Sequence, residues 1–376
     1  MQKRWRDLPA FSPPEARSTS DPLAITELHA WRLREPVSNR RYTVVRLTTR
    51  GGITGYGEGA SANAGEIATA KSTVVGRLAF ETEFIRHHLS AVPAMEAAVS
   101  NAMLDVVSKA AKVPIYQYLG GPTRNHARVL ADLEQDTEEA LQPGLELAKQ
   151  HGFKAFTFPL PERNAMTGLQ EHIDAIRKRI ERLRSIAGDD GDFVLDGAGS
   201  MTPGDAAATA TALEKLHLLW FDEPTAVLTN DALSKISDES VMPVGLGRDV
   251  HDPAVFQNLL RWGCIDVLRP STGLNSIGKI RRMAAIAETH YVAISPHHNG
   301  GPIGTVAAIH LAASLPNFFI QQIPLPAAER DRAMRAAITT ADHESARDGF
   351  APLINSPGLG IQVNEAALGE YSEETL

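Results

Sequence analysis

From about residue 123 onward the chain repeats one unit, a short apolar run followed by a stretch with helical spacing, and most runs begin roughly 25 residues apart. The runs are ARVLADLE, FKAFTF, DFVLD, LLWFDE, MPVGLG, IDVLR, YVAIS and FFIQQ, eight in all. They are near-continuously apolar, the pattern of strands covered on both faces. Between them, Ile173, Ile176, Ile180 and Leu183 in one segment, and Ile277, Ile280, Met283 and Ile286 in another, recur at helical intervals. Eight parallel βα units close into a barrel, which predicts an α/β chain with a (β/α)8-type barrel over residues 123–323. A doubly wound open sheet is the competing architecture, but the glycine-rich dinucleotide turn it carries after its first strand is absent.

The first third has a different grammar. Residues 1–22, rich in proline and serine, read as an irregular arm. ITELHAWRL and YTVVRLTTRGGITGYGEGA are rich in strand formers, with a hairpin-like turn at Arg50-Gly51-Gly52. Met95, Val99, Met103, Val106 and Val107 then mark an amphipathic helix that ends before Val113-Pro114. An antiparallel sheet followed by helices makes residues 23–122 an α+β unit. Residues 324–376, with GFAPLINSPGLGIQVNEAAL, are expected to pack back on it, so this capping domain would hold both chain ends.

The formal charge is -8, without a long run of lysine or arginine, so no nucleic-acid partner is expected. The lone Cys264 lies among apolar residues and has no second cysteine to pair with, which points to a small buried side chain. No segment has the apolar core of a signal peptide or the ~18 consecutive apolar residues of a membrane span, and a cytoplasmic location is the expectation.

Barrels of this kind work at the carboxyl ends of their strands. The ends of successive runs carry Thr157 and Pro159, Asp196, Asp222-Glu223-Pro224, Arg248-Asp249, Pro270-Ser271, Pro296-His297-His298 and Gln321-Gln322. The turn HNGGPIG, glycines feeding a helix, also reads as a phosphate cradle.

VLDGAGS, WFDEP, GRDVHDP, SPHHNGGPIG and PNFFIQQ, together with GGITGYGEGA, VPIYQYLGGP and DGFAPLINSPGLGIQVNEAAL, resemble the mandelate racemase and acid-sugar dehydratase branch of the enolase superfamily over nearly the whole chain. The resemblance implies a modified (β/α)7β barrel under a capping domain, a symmetric homo-oligomer, and removal of the proton next to the carboxylate of a small acid or acid sugar. It also implies Mg²⁺ held by three carboxylates, because that proton is very weakly acidic and concentrated positive charge must meet the developing oxyanions. Asp196 matches the first ligand position, and Asp222 matches the second, where the branch usually has glutamate. Arg248 stands at the third.

Other positions depart as well. The second strand carries Thr157 and Pro159 in place of a lysine pair, Ala198 stands in place of asparagine, Ser271 in place of the aspartate that partners histidine, and Gln322 in place of glutamate. His297 remains as the acid-base residue, with His298 and Asn299 beside it.

Three arrangements are open at the centre. Mg²⁺ binds Asp196 and Asp222, with Asp249 swinging in as third ligand while Arg248 turns outward; or Arg248 is itself the local cation, bridging both aspartates; or Arg248 simply faces solvent at a loop. Two functions are open in turn. One is a diverged enzyme, a dehydratase or racemase, with His297 as acid or base and Arg248, Asp249, Ser271, Gln322, Thr157 and His298 contacting the ligand. The other is a non-catalytic carboxylate-binding or scaffolding protein. Specificity would come from the loops REPVSNRR and EGASANAG, the first carrying Arg34, Arg40 and Arg41.

Overall fold

A computed structural model of the chain describes residues 20–375 apart from 134–136, 165 and 189. Residues 1–19 of the expected arm lie outside the described residues. Strands β1 (Ile25–Arg34), β2 (Arg41–Thr49) and β3 (Thr54–Ala60) come first, then helices α1 (Ala64–Val74), α2 (Thr82–His88), α3 (Pro93–Ala110) and α4 (Ile115–Tyr118). The barrel strands are β4 (His126–Asp132), β5 (Ala155–Pro159), β6 (Asp192–Asp196), β7 (Trp220–Asp222), β8 (Val244–Leu246), β9 (Val267–Leu268), β10 (Ala293–Ile294) and β11 (Gln321–Pro324). The helices after them are α5 (Glu138–Gln150), α6 (Leu169–Ala187), α7 (Pro203–Leu213), α8 (Asn230–Glu239), α9 (Pro253–Trp262), α10 (Ile277–Thr289), α11 (Pro302–Ser314) and α12 (Glu329–Ile338). The chain ends with β12 (Phe350–Pro352), α13 (Glu365–Glu370) and β13 (Ser372–Thr375).

The parallel strands run in the order β10-β9-β8-β7-β6-β5-β4-β11. A parallel bridge from Ile294 to Phe318, just ahead of β11, joins the last strand back to β10. Regular pairing in β9 and β10 is shorter than the apolar runs suggest, because Pro270 and Pro296 come within two residues and have no N–H to donate.

Strand periodicity stacks the lumen in layers. Leu130, Ala155, Val194, Trp220, Val267 and Ile320 form a dry layer. Two residues further along the same strands come Asp132, Thr157, Asp196, Asp222, Arg269 and Gln322, a polar layer toward the carboxyl ends. Helix α6 turns its Ile173, Ile176, Ile180 and Leu183 stripe to the core, whereas α11 is buried on all sides between barrel and cap.

The cap is the antiparallel sheet β13-β1-β2-β3 with α3 packed on it, so the end of the chain closes the N-terminal sheet. Earlier parts of the final segment stay with the barrel, with α12 against α11 and β12 paired to β4. The cap is fastened to the barrel by Ser276 Oγ to Glu96 (2.9 Å) and by the Ile277 N–H to Asn101 Oδ1 (3.0 Å), which seats the N-terminus of α10 on α3. Cys264 is buried, with its sulfur 3.3 Å from Ser234 Oγ. Among the described residues no helix is long and apolar enough to cross a membrane.

Candidate functional site

A cavity of about 680 Å³ lies between the barrel rim and the loop joining β1 to β2. The cap contributes Ser38, Asn39, Arg40 and Arg41, and the barrel contributes Asp132, Asp196, Arg248, Asp249, Ser271, His297 and Asn299.

Arg248 is aimed inward by its backbone. Gly247 has φ 120°, a conformation that costs a side-chain-bearing residue strain, and it turns the chain at the end of β8. Glu223 Oε1 accepts the N–H groups of both Gly247 and Arg248 at 2.8 Å, holding the turn. Arg248 Nη2 then lies 3.1 Å from Asp196 Oδ1 and 2.6 Å from Asp222 Oδ2. Arg248 Nε is buried and has no hydrogen-bond partner among the described residues.

Asp222 is sealed from solvent, and its second oxygen is also engaged, accepting from Trp220 Nε1 (2.9 Å) and Arg269 Nε (3.0 Å). Gly245 makes room for this, since a Cβ there would come within 2.8 Å of Asp222 Oδ1 and 2.3 Å of Trp220. Burial pushes the Asp222 carboxyl upward, but Arg269 and Arg248 outweigh it and hold the group below the usual aspartate range. Asp196 is raised by burial, with Arg248 opposing and Asp222 adding to the shift, so the negative charge of the pair concentrates on Asp222.

The same geometry decides whether Mg²⁺ fits. A hard divalent ion needs about six oxygen ligands. Asp222 has both oxygens engaged by arginines, and the position between the two aspartates holds Arg248 Nη2. Asp249 lines the cavity, but Arg248 turns inward rather than outward, and among the described residues no group of three or more His, Cys, Asp or Glu could hold a metal ion. The donor set does not fit Mg²⁺.

Gln322 joins three side chains below the cavity floor. Its Oε1 accepts from Arg269 Nη2 (2.5 Å) and from His297 Nδ1 (3.0 Å), and its Nε2 donates to Asp132 Oδ2 (2.6 Å). Because the arginine can only donate, the amide orientation is fixed and His297 carries its proton on Nδ1. His297 Nε2 is therefore an unprotonated acceptor. Burial, then Arg248 and Arg269, hold its pKa well below the usual histidine value.

Of the expected residues, Asp196, Arg248, Asp249, Ser271 and His297 line one cavity. Asp222, Thr157 and Gln322 lie beneath it, each no more than 1% exposed. His298 points away from the cavity into Thr272 Oγ1 (2.7 Å), the Gly301 carbonyl and Thr305. The phosphate cradle is likewise corrected. The N–H groups of Gly301 and Gly304 at the start of α11 are taken by the buried carboxylate of Glu58, reaching across from β3. Asp132, Arg269 and Glu58 escaped sequence reasoning. Asp132 obeys the strand-end rule, hidden because its apolar run continues through Leu133, and Arg269 read as the last residue of its run.

The family model described as enolase C-terminal domain-like matches residues 140–367. The model for the mandelate racemase / muconate lactonizing enzyme N-terminal domain matches residues 26–120. Among curated proteins, a D-xylonate dehydratase of Haloferax volcanii is 26% identical over 74% of this chain and 74% of its own length. A D-galactonate dehydratase of Variovorax paradoxus is 24% identical, over 91% of this chain and 93% of its own. A D-mannonate dehydratase of Rhizorhabdus wittichii is 25% identical, over 89% and 92%. A crystal structure of a mandelate racemase/muconate lactonizing enzyme-like protein from Rubrobacter xylanophilus superposes with a TM-score of 0.82 at 23% identity, covering 94% of this chain and 98% of that one.

Proposed function

The chain belongs to the mandelate racemase/muconate lactonizing enzyme family of the enolase superfamily, and from that premise we propose that its cleft binds an acid-sugar carboxylate through Arg248, without a divalent metal. Enzymes of this superfamily generally use Mg²⁺. The observation that carries the proposal is the position of Arg248 Nη2, 3.1 Å from Asp196 and 2.6 Å from Asp222. The ligand class is supported by the relatives named D-xylonate, D-galactonate and D-mannonate dehydratase, and by Arg40 and Arg41 on the cap side of the cavity.

Taking the proton next to a carboxylate creates a dianion, and a guanidinium already shared between two aspartates stabilises it less than a divalent ion does. His297 is poorly suited to deliver a proton to the departing hydroxyl, because burial, Arg248 and Arg269 disfavour the imidazolium that would carry it. Dehydration by this chain is the second reading, favoured by His297 lining the cavity while Gln322 engages its Nδ1.

Titration calorimetry with a panel of aldonates, followed by proton NMR in D₂O, tests the two. The expected outcome is aldonate binding unaffected by EDTA or added Mg²⁺, with no deuterium entering at C2 and no loss of water. Mg²⁺-dependent dehydration, or near-stoichiometric magnesium in the purified protein, would overturn it.

A further inference from the structure

Asp132 ends β4 on the cavity wall, in the same cavity as Arg248 and His297. Its Oδ2 accepts from Gln322 Nε2 at 2.6 Å, and the Gln322 amide is prevented from flipping by the two donors on its oxygen, Arg269 and His297. The carboxylate is thus held in one orientation by a neutral partner, with Oδ1 making no hydrogen bond to the described residues. His297 lacks this capacity, because its environment disfavours the imidazolium that accepting a proton would form.

We propose that Asp132 is the proton-transfer residue of the cleft and that it acts on a 2-oxo acid, exchanging the C3 proton through the enolate. In this step Asp132 Oδ1 takes the proton from C3. The C–H electron pair becomes the C2–C3 double bond, and the carbonyl π pair moves to the C2 oxygen, which Arg248 meets with an N–H. Return of a proton to C3 restores the substrate, with nothing oxidised or reduced.

Charge decides the substrate class. Proton removal beside a carboxylate puts a second negative charge on the same group, which one shared guanidinium opposes weakly. Removal beside a ketone puts a single charge on one oxygen, within the capacity of a preorganised hydrogen-bond donor. Burial, then Asp196, raises the Asp132 carboxyl to about 6, so near pH 7.5 it is ionised and a stronger base than an ordinary aspartate.

The inference rests on the reading that Arg248 recognises the ligand without metal, and the experiment separates the two. The protein in EDTA is mixed with 2-oxo-3-deoxygluconate or 2-oxobutanoate in D₂O. Binding is followed by calorimetry, and deuterium at C3 by proton NMR against a protein-free control. The wild-type protein is expected to speed exchange, and Asp132→Asn to slow it roughly 100-fold or more while still binding the 2-oxo acid. Asp132→Glu should retain part of the rate, which loss of a purely structural contact does not predict. If Asp132→Asn does not fold, Asp132→Ser removes the carboxylate and leaves Gln322 an acceptor. Binding without accelerated exchange, or undiminished exchange without the Asp132 carboxylate, overturns this inference alone. Absence of any carboxylate binding to the wild type overturns the reading beneath it as well.

Discussion

Arg248 holds together two carboxylates that would otherwise repel each other at the bottom of a cavity. Replacing it with alanine leaves Asp222 its contacts to Arg269 and Trp220 but removes the cation from Asp196. Breaking a largely buried pair by removing one partner costs on the order of 3 to 5 kcal/mol, and the lower end is expected because Asp222 keeps Arg269. Urea unfolding of Arg248→Ala checks this, and an unchanged midpoint would count against the clamp. The strand-end rule made Arg248 legible, because the apolar run and Gly247 place the next side chain at the rim. It could not tell rim from floor. Thr157 and Gln322 satisfy the rule equally and lie underneath, because which side chains of a layer are covered depends on neighbours brought in from other strands. Nor did it expose Arg269, an arginine at the end of an apolar run whose burial becomes tolerable only when Asp222 of β7, Ser295 just after β10 and Gln322 of β11 converge on it.

At the scale of elements, α11 is anchored by a residue 243 positions away. Glu58 Oε2 accepts the Gly304 N–H at 3.0 Å and Oε1 accepts that of Gly301, completing the helix N-terminus with a carboxylate as its dipole favours. Glu58→Ala would leave these buried N–H groups unpaired, at a cost of about 1 to 3 kcal/mol. It would also loosen the turn that carries His297 and Asn299 into the cavity. Amide hydrogen exchange should accelerate at residues 300–306, and protection equal to that of the wild type would refute the anchoring role. The helices α3, α6 and α10 were legible from spacing alone, since three-to-four periodicity is a local property. SPHHNGGPIG was legible as a helix start with N–H groups to offer. What occupies them was not, because no local pattern joins a cap strand to a barrel helix.

At the scale of the molecule, the cap closes onto the barrel over buried charge. Arg335, 2% exposed at its side chain, joins Glu35 of the cap to Glu344 at 2.5 Å each. Glu58 lies near this network and Glu223 holds the Gly247 turn at the end of β8, and burial raises both carboxyls to about 7. A raised carboxyl means that the folded state holds more protons than the unfolded chain, so stability falls as pH rises from the ordinary carboxylate value through 7. Buried histidines act in the opposite sense. Burial lowers His298 to about 3 and His310 to about 4, so the unfolded chain holds more protons below pH 6.5 and stability rises toward that point. The two sets oppose each other between about pH 4 and 6.5. Above that window the histidines are neutral in both states, and Asp132, at about 6, is mostly ionised in the folded protein. Glu58 and Glu223 then dominate, each contributing a slope of at most about 1.4 kcal/mol per pH unit. Thermal melts at constant ionic strength should therefore show lower stability at pH 8 than at pH 6.5. Glu58→Gln, which cannot ionise, should flatten the decline even though it loses one acceptor at the helix start. A melting temperature level or rising across that interval would mean that these carboxyls are already ionised inside the fold, with the α11 N–H groups and the Gly247 turn outweighing their burial.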